Sequence, residues 1–426
     1  MASIDDATAS PHSAALPMKN YTAEFYQIST GQHTRKECGF MKKTVLLFES
    51  RDLCYESNQY FMGCLEEAFE QMGYPVEVCD LSIQMEEQLE RILEQQDRYL
   101  AAFDFNSLFP RLELEDGTPY LNAFCVPFFN YLVDHPLYHH VGLKRKFPFY
   151  KVLCIDLCHK RYIEKYYPHI EYVFYLPLGG MQAASKRSFD QKRLELLFLG
   201  TYEPEEKLYR ELDEYPKKLR AEVAALIEMM RADHELTQEA ALEQYLDMQG
   251  VHLSREEFAK RLNGDYLADK YLRNLRRKET LLAAAEAEVP FTIAGHGWEL
   301  VEALNRRHIT IQKGVGFAAS IQLMANAKML VNTTPGFCGG LHDRVYSAMM
   351  NHTLCFTEAS RFAKQVLSDG KEAVLYDSSH LDTLAEKIRE MYEHPKEAQI
   401  ITEQAYLKAK EQHTWRNRAE EIIKFI

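Results

Sequence analysis

From Met41 onward, short apolar runs alternate with longer stretches whose hydrophobic residues recur at helical spacing. "TVLLFE" reads as a buried strand, and 57–72 as a helix carrying Phe61, Leu65, Ala68 and Phe69 at helical spacing. "YPVEVCDL", "RYLAAFDFN", "FCVPFFNYLVD", "YKVLCIDL" and "IEYVFYLPLGG" continue the strand series, with a helix over 85–97. Runs that are apolar on both faces and separated by helices predict a parallel sheet covered on both sides.

The pattern breaks at the polar stretch "MQAASKRSFDQKR" and restarts with "LELLFLGTYEP", so a domain boundary is expected between 185 and 186. Residues 203–288 form a highly charged block of helical pattern without strands. A second strand series follows: "PFTIAGHGWE", "HITIQ", "AKMLVN", "TLCFTE" and "EAVLYD". The expected organisation is a first domain over 41–185, a second over 186–400 with its helical insertion, and a closing amphipathic helix over 401–426. Residues 1–40 are polar, lack sustained periodicity and read as a flexible extension outside the fold.

A net charge of −13 excludes a general nucleic-acid binder, which needs clustered cations, but leaves room for a local basic pocket. Nine scattered cysteines suit a reducing cytoplasm. Cys154, Cys158 and His159 in "CIDLCHK" fit no standard zinc spacing, so packed thiols are preferred over a metal site. No apolar run reaches the ~18 residues of a membrane span, and the first residues lack the pattern of a secretion signal.

Ligands of open parallel sheets bind outside the carboxyl ends of the strands. In the second domain those ends read Gly200-Thr201, Gly295-His296-Gly297, Asn332-Thr333-Thr334 and Thr357-Glu358; in the first, Asp104, Asp134-His135 and Asp156. "GHGWEL" has Leu300 where a dinucleotide fingerprint needs its third glycine, and "TPGFCGGLHDR" lacks the Gly-Lys-Ser/Thr of a P-loop. Both a Rossmann dehydrogenase and a Walker-type NTPase are thereby set aside. The turn Gly339-Gly340-Leu341 precedes a helix expected from His342 to Met350, and unpaired amides at a helix start attract phosphate. Arg344 in the first turn can add a charge, while Asp343 and Ser347, four apart, can meet ribose hydroxyls. Against that stands a plain reading in which Asp343 serves only the helix dipole and Arg344 is solvated. Arg273, Arg276 and Arg277 reach back to phosphate or form an exposed basic face; Trp298 stacks on a ligand or packs under a loop.

The ordered segments "VDHPLYHH", "CIDLCHKRYIEKYYP", "FYLPLGG", "GGLHDRVYSAMMNHTLCFTE", "DGKEAVLYDSSHLDTLAEKIREMYEHP" and "HTWRNRAEEII" resemble bacterial GT-B glycosyltransferases. The group in question includes the spore-maturation-protein-like enzymes. The resemblance spans 41–426 and is weakest over 203–270. It implies an α/β GT-B fold: two Rossmann-like, doubly wound domains facing a cleft. It also implies a nucleotide-sugar co-substrate bound by the second domain, with no metal or other cofactor, and a protein, peptide or cell-surface glycan acceptor. The diphosphate is then expected near Gly200, Thr201, Gly295, His296, Gly339, Gly340, His342 and Arg344, and the sugar near Asn332, Thr333 and Thr334. Many relatives carry a glutamate where Ser347 stands, so the resemblance leaves Asp343 or Glu358 to grip the ribose. An inverting transfer calls for a general base, for which His135 is the first choice, with Asp134 orienting it or replacing it. The rival readings are a GT-B epimerase or phosphorylase-like enzyme, and a GT-B-like module that binds nucleotide or protein without turnover. The helical block also offers a surface for a homodimer.

Overall fold

The computed structural model of the chain describes residues 43–49, 57–334 and 336–426; the expected extension over 1–40 lies outside them. The apolar runs of the first series form β1 (Thr44–Glu49), β2 (Val76–Asp80), β3 (Tyr99–Phe105), β4 (Phe128–Leu132), β5 (Tyr150–Cys154) and β6 (Tyr172–Tyr175). They pair in parallel in the order β2-β1-β3-β4-β5-β6. The second series forms β7 (Leu194–Leu199), β8 (Phe291–Ala294), β9 (Ile309–Gln312), β10 (Ala327–Val331), β11 (Leu354–Glu358) and β12 (Val374–Tyr376). Its order is β12-β11-β10-β7-β8-β9, again parallel throughout. Taken in sequence, that is the doubly wound 3-2-1-4-5-6 arrangement, whereas the first sheet follows the flavodoxin-like order.

Why these runs become central strands is visible in their burial. Leu46, Leu47, Phe48, Phe129, Val152, Leu153, Leu196, Leu197, Leu330 and Phe356 are all buried, so neighbouring residues on opposite faces are covered alike. Covering one face of the first sheet is the helix Ser57–Gln71, joined there by the terminal helix Trp415–Ile423. Trp415 is buried with its ring centroid 5.5 Å from that of Phe61, so the chain ends against the sheet with which it began.

Between β7 and β8 the chain makes helices only, from Glu205 to Ala285. Leu226, Leu242, Leu262 and Leu272 of this insertion belong to one apolar cluster with Leu132, Leu137 and Tyr162 of the first sheet unit. Phe258 stacks on Tyr166 at 4.4 Å between centroids, which fastens the insertion helix Arg255–Gly264 to the helix Leu157–Tyr166. The last insertion helix, Tyr266–Ala285, begins in that cluster with Leu267 and ends in the core of the second unit with Leu281 and Ala284. At ~1.5 Å rise per residue, this helix is long enough to act as a strut across both units, and it determines what stands in the cleft.

Candidate functional site

The second sheet reverses its winding between β7 and β10, and the loops leaving those strands carry Gly200-Thr201 and Asn332-Thr333-Thr334. A topological switch point is where an open α/β sheet leaves a crevice for a ligand. Two guanidinium groups flank it. Arg277, from the strut helix, donates through Nη1 to the Thr201 carbonyl at 3.0 Å. Arg344 donates through Nη1 to Asn332 Oδ1 at 3.3 Å. Asn332 is tied further by Nδ2 to Thr357 Oγ1 at 3.1 Å, and its carbonyl accepts the Tyr376 hydroxyl at 2.9 Å. Thr333 is buried, and its Oγ1 has no hydrogen-bond partner among the described residues. Glu358 accepts the Thr334 N–H at 2.9 Å; its burial pushes the carboxyl above the usual carboxylate range.

Gly295 lies beside Gly200 so closely that a Cβ on it would fall 1.9 Å from the Gly200 carbonyl oxygen. The same carbonyl accepts the Trp298 indole N–H at 2.6 Å, and Trp298 stacks on Tyr202 in the core. Trp298 is thus a packed residue that fixes the β7 loop, and not a platform for a ligand. The His296 carbonyl accepts the Tyr202 amide at 2.9 Å, and its ring lies against Gly314.

The glycine turn corrects an expectation. The Gly339 N–H donates to Asp156 Oδ2 at 2.8 Å, and the Gly339 carbonyl accepts the Leu157 N–H at 3.0 Å. A Cβ on Gly340 would lie 2.4 Å from the Ile155 carbonyl oxygen, so glycine is required for this approach of two backbones. Asp156 also caps the helix Leu157–Tyr166, its Oδ1 accepting the amides of Cys158 at 2.6 Å and His159 at 3.3 Å. Burial pushes Asp156 upward against these three amide bonds. The Gly339 amide therefore receives an anion, but that anion is the protein's own carboxylate from the other sheet unit.

Ser347 and Asp343 change meaning too. The helix runs Asp343–Met350, with His342 as its cap accepting the Arg344 N–H at 3.3 Å. Ser347 Oγ accepts the Met181 N–H at 3.0 Å, and Ser347 is fully buried, so the hydroxyl holds the linker between the units instead of a ribose. Asp343 is paired with His342; burial works to raise it, yet His342 and Arg344 keep it below its usual range. Arg344 is half-buried. Its Nη2 lies 3.1 Å from His342 Nε2, behind the switch point.

At the ends of the first sheet, Asp134 accepts from Asn106 Nδ2 at 2.8 Å. His135 accepts the Leu137 N–H at Nδ1, 3.0 Å away, and turns Nε2 toward Glu239 of the insertion at 3.5 Å. With Nδ1 occupied, the neutral ring carries its proton on Nε2 and has no free lone pair, so this geometry does not make His135 the base. Burial works to raise Glu239, but His135 draws it below the usual carboxylate range. The ring of His159 lies 4.6 Å from that of His135 and is held well below the usual histidine range, by burial first and by His135 next. Asp269 accepts the Tyr138 hydroxyl at 2.6 Å and pairs with Arg273, which is therefore part of a half-buried network and not an exposed basic face. Asp104 is sealed in the first sheet, where burial pushes it up to about 7.

These groups surround a cavity of about 20 Å³ between the sheet units and the insertion, walled by His135, His159, Gln238, Asp269, Arg276 and Cys338. Gln238 and Glu239 carry no signal in the sequence, because they are ordinary first-turn residues of the helix Gln238–Met248. Among the described residues no group of His, Cys, Asp or Glu side chains is arranged to hold a metal ion, Cys154, Cys158 and His159 included. No described helix is long and apolar enough to cross a membrane.

Residues 276–424 match a family model described as glycosyl transferase-like, a segment that contains Arg276, Arg277, Asn332, Arg344 and Glu358. Sucrose-phosphate synthase from Thermosynechococcus elongatus superposes with a TM-score of 0.50 at 10% identity, over 90% of this chain and 98% of that one. HepE from Anabaena, in complex with UDP and glucose, gives a TM-score of 0.48 at 12% identity, over 90% and 99%. The fold assignment rests on the first of these. No curated protein sequence matches the chain significantly. The spore-maturation subgroup finds no support among these matches.

Proposed function

From a chain of GT-B fold whose residues 276–424 are glycosyl transferase-like, we propose an enzyme that transfers a glycosyl group from a nucleotide sugar to an acceptor hydroxyl. The observation that carries this reading is the pair of guanidinium groups, Arg277 and Arg344, on either side of the β7/β10 switch point. A diphosphate leaving group develops charge as the glycosyl–oxygen bond breaks, and fixed cations in a partly desolvated crevice stabilise that charge. The cations do so here in place of a metal ion. Arg277 and Arg344, with Gly200-Thr201 and Thr333-Thr334, hold the donor; Glu358 is the carboxylate offered to the ribose.

The acceptor enters from the first sheet, and its proton passes to Asp134 as the new glycosyl bond forms. Its class is the one the resemblance implies, a protein, peptide or surface glycan. A cytoplasmic location agrees with seven described cysteines that are all unpaired.

The test is a panel of UDP-, GDP-, ADP- and dTDP-sugars read by thermal shift and by donor hydrolysis. At least one nucleotide sugar should raise the melting temperature, since a ligand that binds only the folded state stabilises it. Arg344→Ala should then weaken donor binding by roughly ten- to a hundredfold, about 1.4–2.8 kcal/mol. Asp134→Asn should slow turnover by about a hundredfold or more, with donor binding kept. A panel without any stabilising nucleotide sugar sinks the proposal. Binding without hydrolysis or transfer would favour the second reading, a module without turnover, to which the occupied Nδ1 of His135 lends one observation.

A further inference from the structure

The cavity between the sheet units and the insertion has a feature the donor site does not explain. Three of the side chains in its wall are buried and hold polar atoms with no hydrogen-bond partner among the described residues: His159 Nδ1 and Nε2, Gln238 Oε1 and Arg276 Nε. Each is fixed by other contacts. Gln238 donates through Nε2 to the Asp265 carbonyl at 2.8 Å, and Arg276 through Nη2 to the Met230 carbonyl at 2.7 Å. His159 is clamped between the rings of His135 and Phe337, at 4.6 and 5.8 Å. Buried polar atoms are nearly always paired, so several unpaired atoms around one cavity mark a place where a small polar group, water or ligand, is received.

The kind of ligand follows from the atoms. A neutral imidazole offers one donor and one acceptor, Gln238 Oε1 is an acceptor, and Arg276 Nε is a donor. A fully ionised phosphate only accepts, whereas a hydroxyl gives its one proton to one of these acceptors and accepts from the donors. The volume of about 20 Å³ suits one hydroxyl-sized group. Glu239 stands just behind, with Oε2 also lacking a hydrogen bond and 3.5 Å from His135 Nε2.

We infer that the helical insertion completes the sugar site: His159, Gln238 and Arg276 receive a hydroxyl group of a sugar ring brought into the cleft. This rests on the glycosyltransferase reading, and gives the insertion a part in sugar selection. Two of the three side chains come from the insertion, and Cys338 closes the cavity from the second unit, so the site exists only when all three parts meet.

The ligand is a hydroxyl of the donor sugar or of the acceptor, and one set of measurements separates them. His159→Phe keeps an aromatic ring and removes nitrogens that bond nothing in the free protein, so its melting temperature should be unchanged or higher. Gln238→Met provides a second, independent removal. Affinities are measured for UDP, GDP, ADP and dTDP, for the matching nucleotide sugars, and for methyl glycosides in the presence of the nucleoside diphosphate. Nucleoside diphosphate affinity should stay within about twofold of wild type. A tenfold or greater loss confined to the nucleotide sugar assigns the hydroxyl to the donor; the same loss confined to methyl glycosides assigns it to the acceptor. Both variants behaving as wild type in all three assays would overturn the inference while leaving the glycosyltransferase reading intact. Wild-type protein that binds no nucleotide sugar would instead defeat that reading, and this inference with it.

Discussion

Two contacts between the sheet units lie side by side and are built in opposite ways. At the glycine turn Gly339 N–H pairs with Asp156 and Gly339 C=O with Leu157 N–H, and in the helix that follows Ser347 Oγ pairs with Met181 N–H. In the neighbouring cavity, which begins at Gly336 and Cys338 of the same turn, His159, Gln238 and Arg276 keep unpaired polar atoms. A satisfied contact needs no ligand and reads as structure. An unsatisfied one of equal burial is costly unless something binds, and reads as a site. The turn that looked most like an anion receptor in the sequence is held in part by the protein's own Asp156, and the unpaired atoms lie beside it in a cavity that no single motif marks.

The largest effect should come from crowding the satisfied contact. In Gly340→Ala the new Cβ meets the Ile155 carbonyl oxygen at 2.4 Å and the Asp156 Cα at 3.2 Å, both of them backbone atoms that cannot rotate away. A cost of about 3 kcal/mol is expected, seen as a fall of several degrees in melting temperature. A variant that melts with wild type would mean the two backbones do not approach this closely in solution, and the comparison would lose its first half.

The strand pattern was legible because it is a local property. Runs such as "LELLFLG" and "AKMLVN" are apolar on both faces, and only a covered parallel sheet buries such a run. The strand-end residues Gly200, Thr201, Asn332 and Thr333 were legible for the same reason, since sheet topology alone brings them to one crevice. The partner of the glycine turn was not. A turn that opens a helix offers the same amides to a phosphate as to a carboxylate, and Asp156 lies 183 residues away in sequence. Ser347 was misread along the same line: its place in the helix suggested a ribose contact, but the linker at Met181 reaches it first. Gln238, Glu239 and His159 could not be gathered from spacing, because the packing of Phe258 on Tyr166 is what carries the insertion to the cleft.

A smaller effect isolates the linker contact. Ser347→Ala leaves the buried Met181 N–H without its acceptor, which should cost about 1 kcal/mol of stability. Nucleotide-sugar affinity, measured on the same samples, should not move. Stability retained together with a tenfold loss of donor affinity would return Ser347 to the ribose.

Thr333→Val should have the smallest effect on the free protein and is the sharpest test of the rule behind the comparison. Thr333 is 1% exposed at the end of β10, and its Oγ1 has no partner among the described residues. Replacing an unpaired hydroxyl by a methyl group of similar shape removes a buried polar atom and breaks no bond. The melting temperature should hold or rise slightly, with a gain of at most about 1 kcal/mol. If the hydroxyl instead waits for the donor, nucleotide-sugar affinity should fall about five- to tenfold, near 1 kcal/mol. The two measurements are required to move in different directions. A variant that loses stability would show that Oγ1 is bonded in the free protein, and unpaired atoms would no longer mark where this molecule binds.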